Sequence, residues 1–379
     1  MEFLSDVTTR GLTLLSSLFV FFVGMLVLTA IVLFIKDASQ TKDAIRHNYP
    51  IIGRFRYLFS ALGEFFRQYF FAMDREEMPF NRAERKWVYK SSQGADNTVA
   101  FGSTKNITPL GTALFINCPF PKLDEQATSA PSVCIGPYSK APYHAHSLIN
   151  ISGMSYGAIS KPAVKALSKG AKLAGCWMNT GEGGLSPYHL EGGCDIVFQI
   201  GTAKYGVRTD YGTLDDDKLR EVAAHPQVKM FEIKMSQGAK PGKGGILPGA
   251  KVTPEIARIR GIEVGTASIS PNRHPEISSF KELLINHVRD VTGKPTGFKA
   301  VIGAYDWLEQ MCEEIQHSGS EHAPDFITID SADGGTGAAP MPLMDDVGLT
   351  IREALPVVLD TLIKYGLRDR IKVIASGKL

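Results

Sequence analysis

Cysteine is scarce in this chain: five residues in 379 (Cys118, Cys134, Cys176, Cys194 and Cys312), odd in number and widely spaced. None stands in a CxxC pair or a Cys/His zinc spacing, which argues against a disulfide framework and a structural zinc site and for reduced cytosolic thiols. Charge is also low, at 21% of residues with a formal net of +2. No basic stripe interleaves with aromatics, so nothing recommends a nucleic-acid partner. The GxGxxG fingerprint of a dinucleotide fold is missing as well. With 44% hydrophobic residues the chain can still bury a full core, which excludes disorder.

From Leu12 to Ile35 charge is absent altogether, and Leu, Val, Phe and Ile dominate. Such a run, about 24 residues, can cross a hydrocarbon core of roughly 30 Å as a helix. It is too long for a signal peptide, and no small-x-small cleavage site follows it. Glu2, Asp6 and Arg10 precede the span, whereas Lys36, Lys42, Arg46, Arg54 and Arg56 follow it. The positive-inside rule then places the rest of the chain in the cytoplasm, tethered to the membrane by one helix.

Residues Arg54 to Phe71 (RFRYLFSALGEFFRQYFF) carry apolar side chains at helical spacing. They suit a helix in the membrane interface or one packed on the main domain. Residues 73–145 are rich in Pro, Asn and Ser and read as an irregular lead-in of short strands. His144 and His146 form an HxH pair without partner ligands, read as structural, and no metal site is expected. The organisation expected is thus a tail (1–11), a transmembrane helix (12–35), a linker with lead-in (36–145) and a catalytic domain (146–379).

From Ser147 onward short apolar strands alternate with helical segments. The strands are LINIS, WMNT, IVFQIG, FEIKM, ASIS, GFKAV, FITID and IKVIAS. The helices expected between them are Lys161–Leu173, Pro254–Arg260, Phe280–Val288, Tyr305–Gln316 and Leu349–Tyr365. This alternation predicts a parallel α/β fold. Almost every strand ends in Gly, Ser, Asn, Asp, Lys or Gln, so polar chemistry gathers at the strands' carboxyl ends. A (β/α)8 TIM-type barrel keeps its active site there, and a doubly wound sheet lacks its fingerprint here.

The strand FEIKM runs into a glycine- and lysine-rich loop (SQGAKPGKGGILPGAK, ending at Lys251) that is poor at packing and suited to an anion. Standing alone it would read as a mobile surface loop. It stands instead with SGMSYGAIS (Ser152–Ser160), NTGEGG (Asn179–Gly184), the Gln199 strand end, and FITIDSADGGTGA (Phe326–Ala338). Lys299 sits mid-strand, so a buried cation there needs an anionic partner.

In this order the motifs resemble the FMN-binding synthase domain of glutamate synthases, and more specifically the membrane-anchored, stand-alone proteins of that family. The likeness covers Ser147 to Leu379, and the lead-in (PIIGRFRYLF, FRQYF, PFNRAERKWVY) resembles the anchored branch. The resemblance implies that Gly153, Met154 and Ser155 line the flavin edge, and that Gln199 meets the polar edge of the ring. It implies that Lys299 sits against N1/O2 and favours the anionic reduced flavin. Asp330 stands with it, while Gly334, Gly335, Ser376 and Gly377 cradle the phosphate through backbone N–H groups. Lys240 and Arg260 match positions that bind the carboxylates of 2-oxoglutarate, and Lys234 faces the same site. The implied reaction is reductive amination: ammonia condenses with 2-oxoglutarate, and reduced FMN gives a hydride to the imine carbon, yielding L-glutamate.

Complete glutamate synthases carry an amidotransferase domain with an N-terminal Cys nucleophile, whereas this chain begins Met1-Glu2. Ammonia is therefore expected free or from a glutaminase partner. Lys243 and Ile246 stand where complete enzymes carry Glu and Gln. They favour the alternative of an FMN barrel enzyme acting on another amino or oxo acid, such as an N-alkylated glutamate. An inactive flavin-binding fragment is the non-enzymatic alternative. No cysteine follows DGGTGA, which excludes chemistry of the IMP dehydrogenase type. The resemblance places ASIS in the loop after the fourth strand, leaving seven strands. It implies that the eighth strand and a Cys-rich segment for a [3Fe–4S] cluster belong to a longer form of which this chain is a piece. The electron donor is not identified: ferredoxin, a membrane quinol or a reductase partner using NAD(P)H are all compatible.

Overall fold

The computed structural model describes residues 2–110, 112, 114–238, 243–280, 284–337 and 339–378, with side chains from residue 9 onward. The chain divides into two compact units, Met1–Thr112 and Ala113–Leu379.

In the first unit, helix α1 spans Glu2–Ser39, and its Thr9–Ser39 portion is long and apolar enough to cross a membrane. Asp37, in its last turn, is 1% exposed. It takes both the Nε (2.7 Å) and Nη2 (2.6 Å) protons of Arg54, a bidentate pair that ties the end of α1 to helix α3. A short helix, α2 (Ala44–Asn48), capped by Asp43, lies between them. Helix α3 (Ile52–Phe66) passes into a single π-turn over Arg67–Phe71, so the expected helix at Arg54–Phe71 forms. The lead-in is less irregular than expected, because α4 covers Arg82–Ser92. Asn81 and Glu84 form a reciprocal capping box that supplies its nucleus.

The second unit opens with an antiparallel hairpin, β1 (Val133–Ile135) and β2 (Tyr143–Ala145). His144 is exposed on β2 and His146 follows it, also exposed. Strand–helix alternation then takes over. Helix α5 (Lys161–Ala174) starts under the Ser160 cap with Pro162 in its first turn and stops at Gly175, whose φ of 65° is left-handed. Strand β3 (Trp177–Asn179) and helix α6 (Pro187–Glu191) lead to β4 (Asp195–Ile200). Helix α7 (Asp216–Ala224), capped by Asp215, follows where no helix was expected, and β5 is Val228–Lys234. Its Asp-rich first turn is the signal that marks it.

The ASIS segment does not join the main sheet. Ser268–Ile269 (β7) pairs antiparallel with Ile246–Leu247 (β6) in the excursion after β5, flanking α8 (Pro254–Arg260). Helix α9 (Ile285–Thr292) starts later than the expected Phe280–Val288. It ends on left-handed Gly293, and residues 281–283 lie outside the description. Then come β8 (Thr296–Val301), α10 (Asp306–Ser318), β9 (Phe326–Asp330), α11 (Met341–Asp345), α12 (Ile351–Lys364) and β10 (Lys372–Ser376).

The main sheet is wholly parallel in the order β10-β9-β8-β5-β4-β3. Ile151 bridges Met178 in parallel and adds a seventh strand position beyond β3. The sheet curls into an open (β/α)-type barrel. Its outward face (Ile196, Phe198, Ile200, Phe231, Ile233, Phe298, Ile327, Ile329) packs under the helices against Val164, Leu219, Val288, Met311 and Val358. Each such side chain stabilises by about 1.5–3 kcal/mol when fully buried.

The inward face changes character along the strands. Near the amino ends Trp177, Val197, Met230 and Phe326 meet Ile135, Tyr143 and Ala145 of the hairpin, which plugs that end. Tyr143 adds a hydrogen bond to Asp195 (2.9 Å) at the start of β4. Two residues further along, the inward row turns polar.

Candidate active site

A strand's side chains alternate faces, so the apolar outward residues Phe231 and Ile233 oblige Glu232 and Lys234 to point inward. The same parity turns Asn179, Gln199, Lys299, Thr328, Asp330 and Ser376 inward. The register then places Gln199 beside Glu232, Lys234 beside Lys299, and Ser376 beside Asp330.

Glu232 is 2% exposed and central to this row. Its Oε1 accepts from Asn179 Nδ2 (2.8 Å) and Gln199 Nε2 (2.5 Å), and its Oε2 accepts from Thr328 Oγ1 (2.6 Å). Lys299 lies 3.4 Å from Asp330 Oδ2. Burial opposes its charge, but Asp330, Glu232 and Glu182 outweigh that and raise its pKa above the ordinary lysine value. A cavity of about 180 Å³ is lined by Ser152, Gly153, Asn179, Glu232, Lys299 and Gly377 among others.

Beside it lies a second cluster. Lys234 Nζ donates to Gln237 Oε1 (2.9 Å) and stands 3.5 Å from Glu182, while Gln237 Nε2 donates to both oxygens of Glu182 at 2.9 Å. Burial works against the Glu182 carboxylate, yet Lys234, Gln237 and Lys299 together hold its pKa below the usual range. For Lys234 burial wins, with Lys299 adding repulsion, and its pKa falls. His274, 1% exposed, reaches the Lys234 carbonyl oxygen through Nε2 at 2.9 Å.

The glycine loops close over these side chains. A Cβ on Gly153 would lie 2.8 Å from Asn179 Oδ1 and 3.2 Å from Gln199 Nε2. On Gly181 it would meet Ser155 N at 2.5 Å and the Met154 carbonyl carbon at 2.7 Å, so the NTGEGG loop rests on the Met154–Ser155 backbone. Gly334 approaches Gly377 closely enough that a Cβ would be 3.2 Å from its Cα, whereas Gly335 faces open space. Gly377 has a φ of 85°.

The structure thus gathers Gly153, Gln199, Lys234, Lys299, Asp330, Gly334, Ser376 and Gly377 at one mouth, with Met154 and Ser155 half-buried at its rim. Arg260 is 5% exposed behind the SYG loop. It donates to Ser268 Oγ (2.8 Å) and to the Tyr156 carbonyl oxygen (3.2 Å), and lies 5.2 Å from the Tyr205 ring centre. These bonds use two of its five N–H donors, and its buried Nε has no hydrogen-bond partner among the described residues. Lys240 lies outside the described residues. The sequence reading missed Glu182, Glu232, Gln237 and His274. A charge at an inward position between Phe231 and Ile233 was the available signal for Glu232.

A buried cation, amide groups, hydroxyls and a rim of glycines without side chains form a lining that fits a planar, phosphate-bearing ring such as FMN. The five cysteines are dispersed, and among the described residues no cluster of three or more His, Cys, Asp or Glu could hold a metal, so these residues do not fit an iron–sulfur cluster.

Residues 116–379 match the family described as the conserved region in glutamate synthase. The glutamate synthase large subunit-like protein YerD of Bacillus subtilis is 39% identical over 412 residues, spanning 97% of this chain and 78% of that protein. An archaeal-type glutamate synthase (NADPH) of Thermotoga neapolitana is 37% identical over 233 residues, 60% of this chain and 42% of its own length. The glutamate synthase (NADPH) large chain of Bacillus subtilis is 35% identical over 240 residues, 14% of its length.

Proposed function

The chain belongs to the glutamate synthase family, and from that premise we propose that it is an FMN-dependent oxidoreductase forming L-glutamate from 2-oxoglutarate and ammonia. The observation that carries this reading is the convergence of Lys299–Asp330 and Lys234–Gln237–Glu182 beneath a glycine rim at the carboxyl ends of parallel strands.

In the proposed reaction ammonia adds to the keto carbon with loss of water, and the resulting C=N bond is reduced by a hydride to carbon and a solvent-derived proton to nitrogen. Bound FMN supplies the hydride. Lys299 provides a fixed positive charge in the wall, held by Asp330, that would favour the anionic reduced form of the ring. Gln199 and the Gly153–Ser155 backbone orient the ring edge, and Gly334, Gly335, Ser376 and Gly377 hold the phosphate. Lys234, pinned by Gln237 and Glu182, orients the substrate carboxylate together with Lys240 and Arg260. Helix α1 anchors the chain in the membrane with the catalytic unit on the cytoplasmic side, and ammonia and electrons arrive from outside these residues.

A second reading, an FMN enzyme for another amino or oxo acid, is favoured by one observation: Arg260 is only 5% exposed and already spends two donors on Ser268 and Tyr156. The test is direct. Purified full-chain protein is loaded with FMN, reduced anaerobically with dithionite, and mixed with 2-oxoglutarate and ammonium. Flavin reoxidation with stoichiometric glutamate supports the proposal. Retained FMN without glutamate turns the reading to the second substrate class, and failure to retain FMN sinks both.

A further inference from the structure

Glu232 has no role in the family resemblance drawn above, yet it is the best-connected polar side chain of the mouth. A carboxylate accepts and never donates. Three groups from three other strands converge on it: Asn179 from β3, Gln199 from β4 and Thr328 from β9. Asn179 is fixed at its other end too, because its Oδ1 accepts from Gly181 N (2.9 Å). That leaves one orientation for the Asn179 amide, since the reverse would set its NH2 against the Gly181 N–H and its oxygen against the carboxylate. Gln199 is held with its nitrogen toward Glu232 for the same reason. The burial of Glu232 at 2% makes these bonds obligatory rather than optional. Glu232 and Lys299 also line the same cavity with opposite charge, on paired neighbouring strands.

We propose that Glu232 is a positioning residue that fixes the amide orientation of Asn179 and Gln199 and offsets the Lys299 charge, so that it sets the reduction potential of FMN bound at this mouth. The electrostatic half rests on the FMN reading of the site; the orienting half stands without it.

Two substitutions separate the halves. In Glu232→Gln the remaining oxygen still accepts from both amides, while the new NH2 donates to a rotated Thr328 hydroxyl. Geometry is kept and charge is lost. In Glu232→Ala both are lost. In FMN-loaded full-chain protein, Glu232→Gln is expected to shift the flavin equilibrium at least tenfold toward the reduced form, about 30 mV more positive for two electrons. Lys299 then faces an anionic reduced ring with one carboxylate fewer offsetting its charge, Asp330 and Glu182 remaining. A midpoint potential equal to that of the unaltered protein would overturn the electrostatic half. In flavin-free protein, the side-chain NH2 protons of Asn179 and Gln199, assigned through Asn179→Asp and Gln199→Glu, are expected to exchange slowly. That protection should survive Glu232→Gln and fall at least tenfold in Glu232→Ala. Unchanged exchange in Glu232→Ala overturns the orienting half. Should the unaltered chain take up no FMN, the proposed function and the electrostatic half fail together, and the exchange measurement still decides the orienting half.

Discussion

Ser152 Oγ lies 3.0 Å from Ser376 Oγ, joining the loop after the first strand position to the end of β10 across the open edge of the sheet. The two are separated by 224 residues in sequence, and the curl of seven strand positions brings them together. Ser152→Ala and Ser376→Ala should each lower stability by about 0.5–1.5 kcal/mol. The double substitution should cost less than their sum, by about the value of one hydrogen bond. Urea unfolding of the four proteins of this cycle checks it, and strict additivity would show that the edges do not hold each other.

Lys299 and Asp330 should fail singly and partly recover together. Lys299→Met leaves the largely buried Asp330 carboxylate without its partner, at a cost of up to roughly 3–5 kcal/mol. Lys299→Met with Asp330→Asn removes both charges, and its melting temperature should lie above that of Lys299→Met. FMN retention should be lost in both, because the cation is gone. Flavin absorbance after gel filtration reads the second effect independently of the first.

Gly153→Ala should abolish FMN retention with only a moderate loss of stability. The added Cβ would stand 2.8 Å from Asn179 Oδ1. Asn179 cannot yield without breaking its bonds to Glu232 and Gly181. The loop must lift instead, at about 1–3 kcal/mol. Retention of the yellow colour at unaltered affinity would show that the loop does not frame the ring.

His189 predicts an acid-labile fold. It is fully buried beside Ser186, and burial pushes its pKa down to about 4. Above about pH 6.5 it is neutral in both folded and unfolded chains. As pH falls the unfolded chain takes up the proton first, so stability drops from about pH 6.5 and the loss saturates near the folded value. By pH 5 the loss from this group is about 2 kcal/mol. His189→Asn should be less stable at pH 7 but should lose less between pH 7 and pH 5, measured as the change in urea midpoint. An identical pH slope in the two proteins would refute the assignment.

Much of the fold is legible in the chain because its signals are local. Ser160-Lys161-Pro162 and Gly175 bracket α5 by cap chemistry alone, and Thr253-Pro254 and Gly261 do the same for α8. The Arg82–Ser92 helix was equally legible through Asn81 and Glu84, but its polar surroundings hid the box. The start of α9 was not legible, since its first turn has no side-chain cap to announce it. ASIS has the same apolar pattern as the sheet strands, and pattern alone does not say which partner a short strand takes. Only the family order placed it in the excursion after β5, where it pairs with Ile246–Leu247.

The sequence by itself determined the apolar helix at the N-terminus, the alternation of strand and helix, and the polar, glycine-rich ends of the strands. Each follows from side-chain period and backbone preference within a few residues. The tertiary structure alone decided how the buried charges pair. Lys299 takes Asp330, Lys234 takes Gln237 and Glu182, and Glu232 gathers Asn179, Gln199 and Thr328 from up to 96 positions away. A period of two tells which face a side chain is on. Only the register and curl of parallel strands tell which distant group it meets there, and a buried charge is stable only when that meeting occurs.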